Sequence, residues 1–193
     1  MTLLIRSDGT PFVIQAYRES LTLLKRSDCL KKLRSLAGTQ GQYLRLFKKD
    51  DETLETVLSH DSGYLLAESV WHFFNKPKHL IYCEAEAKSA HMLLIIVKEG
   101  VIYFDRRITS SELRAELIPL MSGEQAYRIV TYGEIPLRQA KTLGGATFTF
   151  PKKLIERFEI LDEPVLEQLE QRDEYQLQPL VLALKSEHLR NYL

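Results

Sequence analysis

The chain has 193 residues, 45% hydrophobic and 27% charged, with 26 Lys+Arg balanced by 26 Asp+Glu. That is the profile of a soluble globular protein, long enough for one substantial core or two small lobes. Zero formal net charge argues against nucleic-acid binding driven by bulk phosphate attraction, and no apolar run approaches the ~20 residues that span a bilayer.

Residues 2–5 and 11–17 predict a first hairpin around Ser7-Asp8-Gly9-Thr10. Ser27 or Asp28 caps a predicted helix whose apolar positions Leu30, Leu33 and Leu36 have helical spacing, and Gly38 stops it. Residues 43–48 alternate as a strand, and 49–52 form a charged turn. Ser62 or Gly63 opens a second helix running to Phe74, and Asn75-Lys76-Pro77-Lys78 ends it. Residues 80–87, 92–98 and 101–108 then read as three consecutive strands, the last two joined by Glu99-Gly100. The run 92–97 is apolar on both strand faces and predicts a strand covered on both sides. Leu94, Ile96, Ile102, Phe104, Leu117 and Ile129 are expected to be mostly buried in one lobe.

Thr109 and Glu112 make a capping-box signature for a helix to Met121. Residues 127–132 predict a strand closed by Gly133, 136–141 one helical turn and 146–150 a short strand. Pro151 sits at the first position of a helix over 151–157, residues 158–161 form a last strand, and 166–174 is a charged arm. Residues 177–193 read as a C-terminal helix. The domains expected are a β/α lobe over 1–77, a second lobe over 78–161, and a linker with a terminal helix over 162–193.

Cys29 and Cys83 match no metal or redox spacing and read as small buried hydrophobes in a reducing compartment. The opening MTLLIRSDGT lacks the pattern of a signal peptide, so the expected location is cytoplasmic. Three antiparallel strands, a helix and another strand are the topology expected of a ribonuclease-H-like or actin-like half, in an α+β fold. An ATPase of that kind needs glycines where its backbone wraps phosphate. The equivalent turn here, Glu86-Ala87-Lys88-Ser89-Ala90, has none. A nuclease needs carboxylates converging on two metals. Glu84 or Glu86, Glu112 or Glu116, and Glu134 are the available set, against the simpler reading of solvated strand ends and a solvated helix face. His60, His72, His79, His91 and His188 show no metal-ligand spacing, and Gly144-Gly145 reads as a turn. Lys25, Arg26, Lys31, Lys32 and Arg34 form a basic cluster, read as a solvated face or as a contact for anionic lipid headgroups or an acidic partner. No catalytic, cofactor-binding or metal-binding residue is assigned.

The string LLIRSDGTPFVIQAYRESL resembles the opening of the pilin accessory proteins of type IVb pili, and SHDSGYLLAESVWHFFNKP is similar to that family's Gly-containing lead into a helix. The phrase VKEGVIYFD over residues 97–105 resembles the family's "V-x-x-G-x-I-x-x-D", with the apolar residue offset by at most one. The order of elements agrees over roughly residues 2 to 161. The family is itself similar to the cytoplasmic domains of the type II secretion L-type and bundle-forming-pilus C-type inner-membrane platform proteins. The resemblance implies a degenerate actin-like fold without enzymatic activity or cofactor, standing at the cytoplasmic face of the inner membrane. Its partners would be an assembly ATPase and other platform proteins. Membrane attachment would come only from a segment beyond Leu193. The exposed anchors expected for such a partner are Arg106, Arg107 and Arg114, with Arg107 and Arg114 sharing a face. A phosphate-handling enzyme on the same fold and a free-standing interaction protein are the alternatives.

Overall fold

The computed structural model describes residues 2–22, 26–138 and 148–183. The protein is mixed α+β, with several sheets and few helices. It divides into two compact units, one from the described residues of Met1–Ser69 and Glu170–Leu193, the other Val70–Leu169. The second unit thus begins inside a helix, and the segment after 161 is shared between the two.

In the first unit β1 (Leu3–Ile5) and β2 (Pro11–Val13) form the expected antiparallel hairpin. β3 (Tyr17–Thr22), β4 (Tyr43–Lys48) and β5 (Thr53–Ser59) make an antiparallel sheet in the order β4-β5-β3, and Gln178–Pro179 pairs on the outside of β4. β3 and β5 are strands the sequence pattern hides, because polar residues interrupt the apolar ones in both. α1 (Arg26–Gln40) covers one face of this sheet through Leu33, Leu36 and Ala37. It runs through Gly38 rather than stopping there. The break falls at Gly41, which has φ +122° and lies so close to β5 that a Cβ would sit 2.0 Å from the Ser59 carbonyl oxygen. Only glycine fits there. β6 (Tyr64–Leu65) pairs parallel with β2 and leads into α2 (Leu66–Phe73). Tyr175 and Leu177 are buried with Val13, Val57 and Leu65. Leu169, within the arm expected to be charged over 166–174, is buried as well. The helix expected from 177 is described only as Leu180–Ala183, after a strand. Residues 184–193 lie outside the described residues.

The second unit is built on a five-stranded sheet. β7 (Leu80–Ala85), β8 (His91–Lys98) and β9 (Val101–Thr109) form the antiparallel meander. Glu99 and Gly100 both have positive φ, +53° and +74°, the backbone that a two-residue hairpin loop matched to strand twist demands. After β9, α3 (Leu113–Leu117) is short and flanked by 3₁₀ stretches Ser110–Glu112 and Ile118–Ser122. Glu112 accepts from the Thr109 N–H at 2.9 Å, as the capping signature predicts. Pro119 tightens the continuation into 3₁₀ geometry. β10 (Tyr127–Tyr132) returns parallel to β7. Instead of a helical turn, residues 137–138 form the short strand β11 (Leu137–Arg138), parallel to β12 (Phe148–Thr149). The helix expected over 151–157 shrinks to one 3₁₀ turn, Lys152–Leu154, and β13 (Ile155–Leu161) starts earlier than expected, parallel to β10. The strand order is β13-β10-β7-β8-β9.

One face of this sheet carries Ile81, Leu94, Ile96 and Ile129, packed with Leu113 and Leu117. Residues 92–97 are all buried, as their double-sided apolar pattern predicts. Ile102 and Phe104 are only half-buried, because β9 is the sheet's edge and Tyr103 falls in a bulge there.

Candidate functional site

The three arginines expected to anchor a partner lie on or next to β9. Residues paired across an antiparallel ladder share a face. Arg106 pairs with Leu94 and Arg107 with Leu93, so the two point to opposite faces. α3 covers the face of Leu94. Arg106 and Arg114 therefore stand on one side of the sheet, both exposed, and Arg107 stands on the other. This differs from the expected sharing of a face by Arg107 and Arg114; the alternation of side chains along a strand is the reason. The Arg106 guanidinium lies 5.5 Å from the centre of the Phe104 ring. Arg107 is held by Glu86 through two contacts, Nε to Oε1 at 2.6 Å and Nη2 to Oε2 at 2.8 Å. That bond raises the Arg107 pKa further. The fork onto Glu86 takes up donors that Arg107 would otherwise offer a partner. Val101 and Tyr103 are the exposed hydrophobic residues of the same strand.

Three of the carboxylates considered for metal chemistry, Glu84, Glu86 and Glu112, are engaged by other groups. Glu84, at the end of β7, is buried. Its Oε1 accepts a bond from the Tyr82 hydroxyl, one from the Val165 N–H at 2.7 Å and one from the Leu166 N–H at 3.1 Å. It thereby ties residues 165–166 to the strand end. Burial, then the Glu84 charge, push the Tyr82 phenol far above its ordinary pKa. Glu86 holds Arg107, and Glu112 caps the turn after β9. Among the described residues, no three His, Cys, Asp or Glu side chains are grouped so as to hold a metal ion.

His79 Nε2 lies 3.2 Å from Glu99 Oε1 beside the edge of Tyr127, and His91 Nδ1 lies 2.9 Å from the Ser89 hydroxyl. These are local contacts at strand ends. Both cysteines are buried, and burial pushes the Cys83 thiol up to about 12. In the first hairpin Asp8 accepts from Arg6 Nε at 3.1 Å and Nη2 at 2.8 Å, and from the Thr10 N–H at 3.0 Å. The Arg6 bonds, above all, hold its carboxyl well below the usual carboxylate range. Lys31, Lys32 and Arg34 are exposed on α1. Lys25, His188 and Gly144-Gly145 lie outside the described residues. Sequence reasoning missed the Tyr82–Glu84–Val165 cluster, since nothing local links residue 84 to 165.

No protein-family model matches the chain. No curated protein sequence matches it either. Among solved structures, it is similar to the cytoplasmic domain of BfpC, with a TM-score of 0.48 and 10% identity over 92% of this chain and 97% of that one. It is also similar to a Bacteroides thetaiotaomicron VPI-5482 protein of actin-like ATPase fold and unknown function, with a TM-score of 0.34 and 8% identity over 75% of this chain and 65% of that one. Among the described residues no helix is long and apolar enough to cross a membrane.

Proposed function

We propose that the chain is a non-enzymatic scaffold, a degenerate actin-like domain that holds an assembly ATPase at the cytoplasmic face of a type IV pilus or type II-like secretion platform. Two things support the ribonuclease-H-like part of this reading. The strands of the second unit's five-stranded sheet, numbered within that sheet, run in the spatial order third, second, first, fourth, fifth, and only the first three are antiparallel. The platform role rests on the resemblance carried by the first hairpin and the 97–105 phrase.

The observation that carries the non-enzymatic reading is the condition of Glu84. A nuclease or ATPase of this topology needs a carboxylate near the end of its first strand, open to a metal or a water. Glu84 stands there, but it is buried and accepts from two backbone N–H groups and a tyrosine hydroxyl. It works as a structural tie. With no glycine in the following turn, the backbone has no close approach to phosphate.

Two experiments test the reading. Thermal melting with Mg-ATP is expected to show no shift. A ligand at ~100 times its dissociation constant adds about 2.7 kcal/mol to a protein that binds it only when native. A reproducible Mg-dependent rise would return the phosphate-handling enzyme. Co-purification with an assembly ATPase of a type IV pilus or type II-like secretion system from the same organism tests the docking role. The variant with Arg106, Arg107 and Arg114 all changed to Glu is expected to lose at least ~2 kcal/mol, about thirtyfold in affinity. R106E/R114E should account for most of that loss, and R107E for little. Equal binding by the triple variant would move the surface elsewhere. No binding by the wild type would leave the free-standing interaction protein as the better reading.

A further inference from the structure

We propose that the outer face of α1, together with the exposed flank of the helix Leu180–Ala183, is a docking surface for an anionic lipid bilayer. Both elements belong to the first unit, and the proposal does not depend on ATPase docking. α1 turns Cys29, Leu33, Leu36 and Ala37 into the core and leaves Lys31, Lys32 and Arg34 exposed. The acidic residue of its first turn is Asp28. Lys32 leans toward β3, where Glu19 Oε2 lies 3.8 Å from its ammonium. Arg34 is two residues on, roughly 200° around the helix, and so lies on the flank away from β3. Lys31 stands between them at the top.

The flank of Arg34 is the flank of the helix Leu180–Ala183. That helix packs on β4, at the opposite side of the sheet from β3. Its Leu180 and Ala183 join the same core as α1. Its other two residues, Val181 and Leu182, are 66% and 56% exposed. Two adjacent exposed branched aliphatic side chains on the same sheet face as a helix that exposes Lys31, Lys32 and Arg34 are the combination that binds membrane interfaces. The cations meet anionic headgroups, and the aliphatics enter the headgroup–acyl boundary. The chain is neutral as a whole, but charge is felt only within about 10 Å at ordinary salt, so the local patch decides. The cations alone would suit an acidic protein equally well. The aliphatic pair favours the bilayer, because a protein would need a pocket shaped to Val181 and Leu182, whereas the lipid boundary accepts them without one.

The test is co-sedimentation of the full chain with vesicles of phosphatidylcholine alone and of phosphatidylcholine mixed with phosphatidylglycerol. Binding is expected to the mixed vesicles only, and weaker at about 0.5 M than at about 0.1 M salt. Each cation near the surface is worth about fivefold, so K31E/K32E/R34E should weaken binding on the order of a hundredfold. V181N/L182N should weaken it at both salt concentrations. Both variants replace exposed side chains, and unchanged melting confirms that they fold. The proposal is overturned by any of three results: no binding of the wild type to mixed vesicles, equal binding to phosphatidylcholine alone, or undiminished binding of K31E/K32E/R34E. An acidic protein that binds through these cations while the vesicles do not would also overturn it. None of these results bears on Arg106 and Arg114, whose variants test the ATPase reading separately.

Discussion

Among the described residues each unit buries one glutamate, and each satisfies it in a different way. In the first unit Glu68, on α2, receives the Arg18 Nη2 at 2.7 Å, with side-chain exposures of 9% and 12%. In the second unit Glu84 receives a hydroxyl and two backbone N–H groups, all neutral donors. A buried ion pair must offset the desolvation of two charges. A carboxylate among neutral donors must offset one, and each donor contributes to that. The pair therefore penalises loss of either partner. The cluster instead fixes a loop, because its donors are backbone. The comparison separates an interaction that stabilises a helix against a sheet from one that closes the end of a strand.

Breaking the pair has the largest expected effect. Glu68→Leu should cost about 3–5 kcal/mol in urea unfolding, because it leaves the Arg18 charge buried without its carboxylate. R18M/E68L should recover most of that loss. Singles costing less than ~1 kcal/mol would show that water already reaches the pair.

A smaller loss, about 1–2 kcal/mol, is expected for Glu84→Gln, since the amide oxygen still accepts from Val165 and Leu166 but without charge. Amide exchange at Val165 should speed up more than exchange in β8. Uniform acceleration would mean that Glu84 supports the whole unit rather than the loop.

Tyr175 reports on the same contrast at alkaline pH. Burial first, then the charges of Glu174 and Glu68, push its phenol up to about 12 from 10.0. Between those values the unfolded chain releases the phenolic proton and the folded chain keeps it, so stability falls as pH rises. The contribution is intact below pH 10.0 and declines by about 1.4 kcal/mol per pH unit above it. Y175F should lack this decline, and in the E68L background, where one of the charges that raise the phenol is gone, the decline should start at the same pH but end sooner and be smaller overall. An identical pH profile for wild type and Y175F would show that Tyr175 titrates freely when folded.

The smallest effect is expected at an exposed pair. Arg157→Gln leaves Glu159 bonded to Arg128 Nε at 2.8 Å and should cost less than ~0.5 kcal/mol. A loss comparable to that of Glu68→Leu would erase the distinction between buried and exposed pairs drawn here.

The meander is the part of the fold most legible in sequence, because its signals are local. β8 reads as covered on both sides from its own six apolar residues, and Glu99-Gly100 names its turn. Thr109 and Glu112 likewise mark their cap without help from distant residues. The candidate site was legible only as a set of names. Arg106, Arg107 and Arg114 could be picked out as charges near the meander. Which of them share a side depends on the register Arg106↔Leu94 and on α3 lying over Leu94. The shortened helix after Pro151 has the same origin. Its residues from Ile155 on pair with β10, and a full ladder of strand bonds outcompetes a marginal helix.

By itself the sequence determined the meander, the first hairpin, the cap at Thr109 and the strand over 127–132, and the absence of bulk charge for nucleic acid. These follow from periodicity, turn residues and counting, all of which act over a few positions. Tertiary structure alone decided that β3 and β5 are strands despite their polar residues, that Tyr175 and Leu177 are core, and that α1 ends at Gly41. It also decided the partners of the two buried glutamates, which come from 50 and 81 residues away in the chain. The physical reason is that burial and hydrogen-bond satisfaction are properties of a place in space. A short polar strand is stable only when a neighbour supplies its ladder, and a glutamate is tolerated in a core only when donors from elsewhere in the chain converge on it.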